Sequence, residues 1–528
     1  MKFNKVSLEN KGIVNSLVWD YLQNSSILEP FILDFPSEAS INDYLKEERF
    51  KYLDRDLLSN EIFRQYDKIN LCDEVRNNIN DLSKKNSYTI CTGHQLCLFT
   101  GPAYFFYKIV SVIKQAKNLN NKFPEKKFVP VFWMATEDHD FEEINHTFLF
   151  GKKIVWETNQ RGRVGEFNLH GLESLLNQFK EILGDTDVSR YVNEIFSTAI
   201  KNSVTLVEFT RHFLNEIFGK YGLVVVDGNS AEFKSLFVDE MQAELFENNG
   251  WKCVSEYNKK LESLGYSAQV SPREINLFYC EKGLRERIVR DEGEFKVLNT
   301  DLIFSASEIK KLVREYPEKF SPNVVLRPLY QQKILPNLFY VGGPAEISYW
   351  LQLKSFFDAS EIHFPYLEVR DFVCVLESKI VDKWMNLGFD ISDFFRSEEE
   401  LKNQWLKNNS EDISLEEFQP KAIELFDGIK FLAEKSDPTL IGSVEAEKQR
   451  LLNAFLGLEK KMIRFAKQKN ESSLNQISKL QSKVFPDGVF QERKENFFAL
   501  INNCDSKILD ELLKGKVEDA NFINFLIC

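Results

Sequence analysis

The sequence predicts an α/β protein: a doubly wound parallel sheet carrying inserted segments, followed by a helical region with a coiled coil. Three observations carry this. Almost continuously apolar runs, FVPVFWMA (Phe128–Ala135), LVVVD (Leu223–Asp227) and NLFYV (Asn337–Val341), read as strands covered on both faces. Strand, helix and strand follow one another within about 50 residues from Ser87 to Ala135, a βαβ unit and hence a parallel sheet. From about Asp390 onward, apolar residues recur at helical spacing instead.

Residues 1–85 mix short apolar segments with charged, Asn-rich stretches and read as helices leading into the first strand, SYTIC (Ser87–Cys91). After a loop, Gly101-Pro102 opens a helix whose apolar face is Phe105, Ile109, Val112 and Ala116. A helical stretch follows the strand ending at Asp227, and Gly342-Gly343-Pro344 opens another, running through Lys354. The more polar segments at about 150–205 and 251–322 read as insertions into a core spanning 1–385. In the remainder, 386–528, Phe418, Ala422, Leu425, Ile429 and Leu432 form one stripe, ended by Asp437-Pro438. Val444, Leu451, Phe455, Leu458, Met462 and Phe465 form a second, interrupted on the same seam by Lys448 and Lys469. Two such helices joined by a short break predict an antiparallel coiled coil over about 416–485.

A chain of 528 residues exceeds one core and suggests about three units at roughly 150 residues each. Its 46 Phe against 23 Gly exclude a disordered or glycine-rich repeat array. A net charge of −13 excludes a general nucleic-acid binder, which needs a basic surface to neutralise phosphates. MKFNKVSLENKG has no apolar signal region, and no apolar run approaches the roughly 18 residues of a membrane span. A cytoplasmic protein is expected. The eight cysteines form no CxxC pair, so reduced thiols are expected, with neither zinc knuckle nor disulfide framework.

Four segments hold the reactive side chains. Thr92–Pro102 (TGHQLCLFTGP) lies between the first strand and its helix, where open α/β sheets bind ligands. It is neither a Walker A loop nor a GxGxxG fingerprint; a tight β–α turn with Leu98 and Phe99 buried is the alternative. Thr136–His146 (TEDHDFEEINH) follows the strand ending at Ala135 and packs five carboxylates and two of the six histidines into ten residues. Carboxylate beside imidazole suits acid–base chemistry near neutral pH. HDFEEINH is not HExxH and matches no standard metal spacing, so a metal requirement stays open. Asp227 ends a buried strand and either binds a ligand or caps the next helix. The fourth segment joins Leu326–Lys333 to Tyr340–Trp350. Its Gly343-Pro344-Ala345-x-x-x-Tyr349 repeats Gly101-Pro102-Ala103-x-x-x-Tyr107, a helix start for which Pro is suited in any case.

TGHQLCLFTGPAYFFYKI, PVFWMATEDHDFEEINH, LRPLYQQKILPNLFYVGGPAEISYW and FPDGVFQERKENF closely resemble the bacillithiol biosynthesis cysteine-adding enzyme family, over nearly the whole chain. One departure is His94, where the family's pattern has Gln. The resemblance implies a Rossmann-like core with inserted connecting segments, a C-terminal coiled coil and a homodimer. It also implies the reaction, a ligase forming an amide between the cysteine carboxyl group and the amine of glucosaminyl malate. That chemistry needs an activated carboxyl group and a base for the attacking amine. ATP is implied by the reaction only. Asp138, His139 and Asp140 are the candidates for the base and for binding the cysteine ammonium. His94, Gln95, Thr100, Gly101, Glu142, Asp227, Arg327, Gln331, Gly342, Gly343, Glu346 and Tyr349 are the candidate substrate contacts, with Arg327 as a bidentate anion clamp. The rival readings are a nucleotide-dependent transferase on another small anion and a coiled-coil scaffold for a thiol-biosynthesis complex.

Overall fold

The computed structural model describes residues 2–47, 49–409, 415, 417–504, 508–514 and 520–528. Two compact units emerge: one comprises the chain up to Val375 together with the residues from Val489 onward, the other Leu376–Gly488.

At the centre of the first unit lies a five-stranded sheet. Its strands are β1 (Ser87–His94), β2 (Lys127–Met134), β3 (Val224–Asp227), β4 (Asn337–Gly342) and β5 (Tyr366–Val369). They lie in the spatial order β5-β4-β1-β2-β3, every neighbouring pair parallel. Ile90, Val129, Val131, Phe132, Val225 and Val341 are at most 1% exposed, as strands buried on both faces require. The order reverses direction at β1, so the carboxyl ends of β1, β2 and β4 border the crevice where such sheets bind ligands.

Helix α1 (Tyr104–Lys122) follows β1. It starts at Tyr104 rather than at Gly101-Pro102, because Phe99, Thr100 and Gly101 all have positive φ and form a tight turn first. The 251–322 insertion folds into an antiparallel sheet of Leu277–Glu281, Leu284–Asp291, Glu294–Val297, Ile303–Phe304 and Phe320–Pro322. The earlier insertion is a hairpin, His146–Leu149 with Lys152–Val155, followed by helices.

The second unit contains α2 (Phe418–Ser436) and α3 (Ile441–Lys469). They run antiparallel: Lys430 pairs with Glu445 (2.9 Å) and Lys448 with Asp427 (3.4 Å), so residues later in one helix meet residues earlier in the other. Lys448 thus ends in an ion pair. The first residue of the expected coiled-coil span, Glu416, lies outside the described residues, as do 410–414, 505–507 and 515–519 of the expected helical region.

Two expectations are corrected here. The helical region does not run to 528: from Val489 the chain belongs to the first unit, and Phe522–Ile527 is a strand antiparallel to Lys2–Ser7 and hydrogen-bonded to Phe372–Leu376. The aromatic and branched run FINFLI suits a strand. Nor are all thiols reduced. Cys504 and Cys528 form a disulfide, their Cα atoms 5.5 Å apart, because the final strand carries Cys528 back beside the helix Phe497–Ile501; the other six cysteines are free. Among the described residues no helix is long and apolar enough to cross a membrane.

Candidate active site

A cavity of about 750 Å³ opens at the carboxyl end of the parallel sheet. His94 at the end of β1 and Gln95 just beyond it, with Ala135–Asp140, Gly343–Glu346 and Arg370 from the turns after β2, β4 and β5, line it; the antiparallel sheet adds Phe278 and Arg285. The segment after β2 is pinned from outside, Val164 N–H donating to Asp138 O (2.7 Å) and Gly165 N–H to Thr136 O (2.9 Å).

One side of the cavity is acidic. Gln95 Nε2 donates to both Asp138 Oδ2 (2.8 Å) and Glu143 Oε2 (2.7 Å). Asp138 Oδ1 accepts the His139 N–H at 2.8 Å and lies 3.9 Å from Arg285 Nη1. Burial alone would raise the Asp138 carboxyl, but the Gln95 bond, Arg285 and the backbone donors outweigh it and hold it below the usual carboxylate range. Asp138 therefore stays ionised and is a ready partner for an ammonium group. Asp140 stands at the start of the short helix Phe141–Ile144 but makes no side-chain cap bond, and it is exposed at the cavity wall.

His139 Nδ1 is hydrogen-bonded to Arg285 Nη1. Burial and the adjacent guanidinium lower its pKa, so the ring is neutral. His94 is pushed down to about 4, first by burial and then by Lys108; its Nδ1 contacts Gln95 O at 2.9 Å, and Tyr104 and Phe105 flank its ring. Neither histidine is a cation at neutral pH.

The other side is basic. Lys108, 1% exposed, reaches Glu346 Oε2 (2.6 Å) and the Gly93 carbonyl. Glu346 also accepts from Tyr340 Oη (2.6 Å) and Gly343 N (2.9 Å), which, with Lys108, offset the effect of burial and keep it ionised. Arg327 Nη1 donates to Gln331 Oε1 (2.9 Å) and Nη2 to Tyr349 Oη (3.3 Å). Among the described residues no carboxylate lies within ion-pair distance of this guanidinium. Burial opposes its charge, but Tyr349, Tyr340 and Glu346 outweigh that and hold its pKa above the ordinary value. Arg370 forks onto Glu492 at 2.6 and 3.0 Å, both side chains at most 3% exposed, while its Nε has no partner. Two guanidinium groups thus offer donor capacity to an anionic group, carboxylate or phosphate.

Nine of the sequence-derived candidates line this cavity: Asp138, His139, Asp140, His94, Gln95, Arg327, Gly343, Glu346 and Tyr349. The others lie off it. Thr100 and Gly101 are gripped from behind, Asn496 Nδ2 donating to the Phe99 and Gly101 carbonyls (2.8 and 2.9 Å) and contacting Thr100 Oγ1 at 3.4 Å. Asp227 is tied into the scaffold by Thr136 Oγ1 and Asn229 N. Gln331 orients Arg327; Gly342 belongs to β4, and Glu142 faces solvent. Sequence reading does not single out Lys108, Arg285, Arg370 or Glu492. Lys108 sits on an apolar helix face and Arg285 within LRERIVRD, which reads as a solvated strand. Lys108 and Glu492 do carry a signal, standing inside TGHQLCLFTGPAYFFYKI and FPDGVFQERKENF. Among the described residues no group of three or more His, Cys, Asp and Glu side chains is arranged to hold a metal.

Comparison with known proteins bears on both units. Residues 1–371 match the family described as bacillithiol biosynthesis BshC, N-terminal Rossmann-like domain, and residues 373–522 match its C-terminal coiled-coil domain. Proteins named "Putative cysteine ligase BshC" are similar end to end. That of Flavobacterium psychrophilum is 38% identical over 96% of each chain, and that of Christiangramia forsetii 37% identical over 97% of each. That of Bacillus anthracis is 27% identical, again over 97% of each. With a two-part family match across nearly its whole length and relatives well above 30% identity, the chain belongs to the bacillithiol biosynthesis BshC family.

Proposed function

We propose that this protein ligates cysteine, through its carboxyl group, to the amine of glucosaminyl malate. One observation carries the reading: a single cavity is lined by both ionised Asp138 and a guanidinium, Arg327, that among the described residues has no carboxylate within ion-pair distance. Substrates that carry both an ammonium and a carboxylate suit such a site. Asp138 holds an ammonium group; Asp140, exposed and free of cap bonds, takes the proton from the attacking amine. Arg327 and the unpartnered Nε of Arg370 receive the anionic groups. Carboxyl activation implies a nucleoside triphosphate, whose phosphates these same groups suit. Purified protein given cysteine, glucosaminyl malate and ATP should form the amide product by mass spectrometry. Asp138→Asn should fold normally and lose about 10²–10⁴-fold in rate. Adenylate formation without cysteine would favour the transferase reading instead.

The protein acts as a homodimer through α2 and α3, whose apolar stripe supports this: Leu425, Leu432, Leu458 and Phe465 are 60%, 65%, 51% and 70% exposed in the single chain. Light scattering on Leu451→Glu with Leu458→Glu should show monomers. A folded double variant that stays dimeric puts the interface elsewhere.

A further inference from the structure

We infer that His139 acts as a fixed hydrogen-bond donor through Nε2–H, and that Arg285 of the inserted antiparallel sheet is the positioning residue that fixes it. A guanidinium only donates, so the Nδ1 that meets Arg285 Nη1 must accept. A neutral imidazole has one donor and one acceptor nitrogen, which places the proton on Nε2.

Arg285 is held in place on every side. Its Nε donates to Ser321 Oγ (3.1 Å), its Nη2 to Pro322 O (3.2 Å), and its plane lies 3.9 Å over the Phe278 ring. Phe278, Arg285 and Ser321 sit on three successive strands of one sheet, so the mount is built by the insertion rather than by the parallel core. The Arg285 side chain is 6% exposed and that of His139 44%, leaving the ring half open to the cavity. Among the described residues its hydrogen bonding is confined to Nδ1. The charged groups facing it are Asp138 and Asp140 from its own segment and Arg285 and Glu286 from the inserted strand; the balance of these with burial keeps the ring neutral.

An α-amino acid carries its ammonium and carboxyl groups on one carbon. With the ammonium against Asp138, Nε2–H of the next residue donates to an oxygen of the carboxyl carbon. That bond withdraws electron density from the carbon and meets the charge that develops on the oxygen as the amine adds. The identity of that oxygen rests on the ligase reading above; the tautomer does not.

The experiment has two arms. Long-range nitrogen–proton NMR of histidine-labelled protein, with His139 assigned by the signal lost in His139→Gln, should show a pyridine-like Nδ1 and a pyrrole-like Nε2 at neutral pH. In Arg285→Met the two tautomers should mix and the titration midpoint rise by about one pH unit or more. Arg285→Lys, which keeps the charge but not the fork, should mix them without as large a rise. A protonated Nδ1 in the wild type, or an unchanged tautomer in both variants, overturns the inference. In the second arm, His139→Gln keeps a donor and cannot serve as a base. It should retain ligation within about tenfold of wild type, while His139→Ala loses about 10²–10³-fold. Equal loss in both overturns the donor role. If the wild type itself forms no cysteine amide, the ligase reading fails while the NMR arm still decides the tautomer.

Discussion

The chain twice places Gly-Pro-Ala-x-x-x-Tyr after a strand of the parallel sheet, and the two copies have opposite fates. The first is a latch. Gly101 has φ 59°, a Cβ there would lie 2.7 Å from that of Cys97, and Asn496 grips the carbonyls on either side of Thr100. Tyr107, in the first, is fully buried in the core. The second is open. Gly343 has φ −74°, a Cβ there would sit 3.5 Å from Glu346 Oε2 and 3.8 Å from Arg370 Nε, and Tyr349 reaches into the cavity to Arg327. The shared Gly-Pro-Ala-x-x-x-Tyr pattern thus gives a structural turn at one strand end and a cavity-facing turn at the other. What differs is the partner: Asn496 behind one, the Arg370–Glu492 pair beside the other, four residues apart on one returning segment.

Breaking the partner of the open turn should have the largest effect. Glu492→Ala strands the Arg370 guanidinium in the interior and should cost about 3–5 kcal/mol in chemical denaturation. Acid should act on the latched side by about 3 kcal/mol. His94, beside Tyr104, has its folded pKa lowered to about 4 against about 6.5 unfolded, so the unfolded chain binds the proton more readily. The stability that neutral His94 contributes is full above pH 6.5 and is lost as pH falls toward 4. His94→Gln should flatten that limb of a pH–stability curve, and an unaltered limb would assign it to other groups.

Gly343→Val keeps an allowed backbone yet fills the space in front of Arg370. Ligation should fall by about 10²-fold with the melting transition nearly in place. Full activity would make the second turn as structural as the first. Smallest is Asn496→Ala, which leaves the Phe99 and Gly101 carbonyls without their donor; about 1–3 kcal/mol of stability should go, with KM for both substrates unchanged. A raised KM instead would bring the latched turn into the site.

Periodicity and apolar runs make much of this architecture legible in the sequence. FVPVFWMA and NLFYV read as doubly covered strands, and TEDHDFEEINH at a strand end reads as an acidic cluster beside the crevice. YLEV (Tyr366–Val369) escapes because it is four residues long and carries Glu368, and LRERIVRD because a half-exposed strand resembles any polar segment. Arg285 and Arg370 escape for a different reason. Their role depends on contacts across 146 and 122 residues of chain, to His139 and Glu492, and no local pattern encodes a tertiary partner. The exposed stripe of α2 and α3 is readable as a seam, but periodicity alone does not say which helix covers it.

The returning segment also sets an order of assembly. Arg370 leaves the ribosome 122 residues before Glu492. At about 5–20 residues per second it waits roughly 6–24 s for its counter-charge while the whole helical unit is being made. Asn496 reaches the first turn later still, and Phe522–Ile527 meets Lys2–Ser7 after that. Gln95, Asp138, Glu143 and Arg285 of the acidic wall are thus all synthesised before Arg327, Arg370 and Glu492 of the basic one. The Arg370–Glu492 pair is therefore completed only after the helical unit has been made, so the basic wall is the later of the two to be assembled.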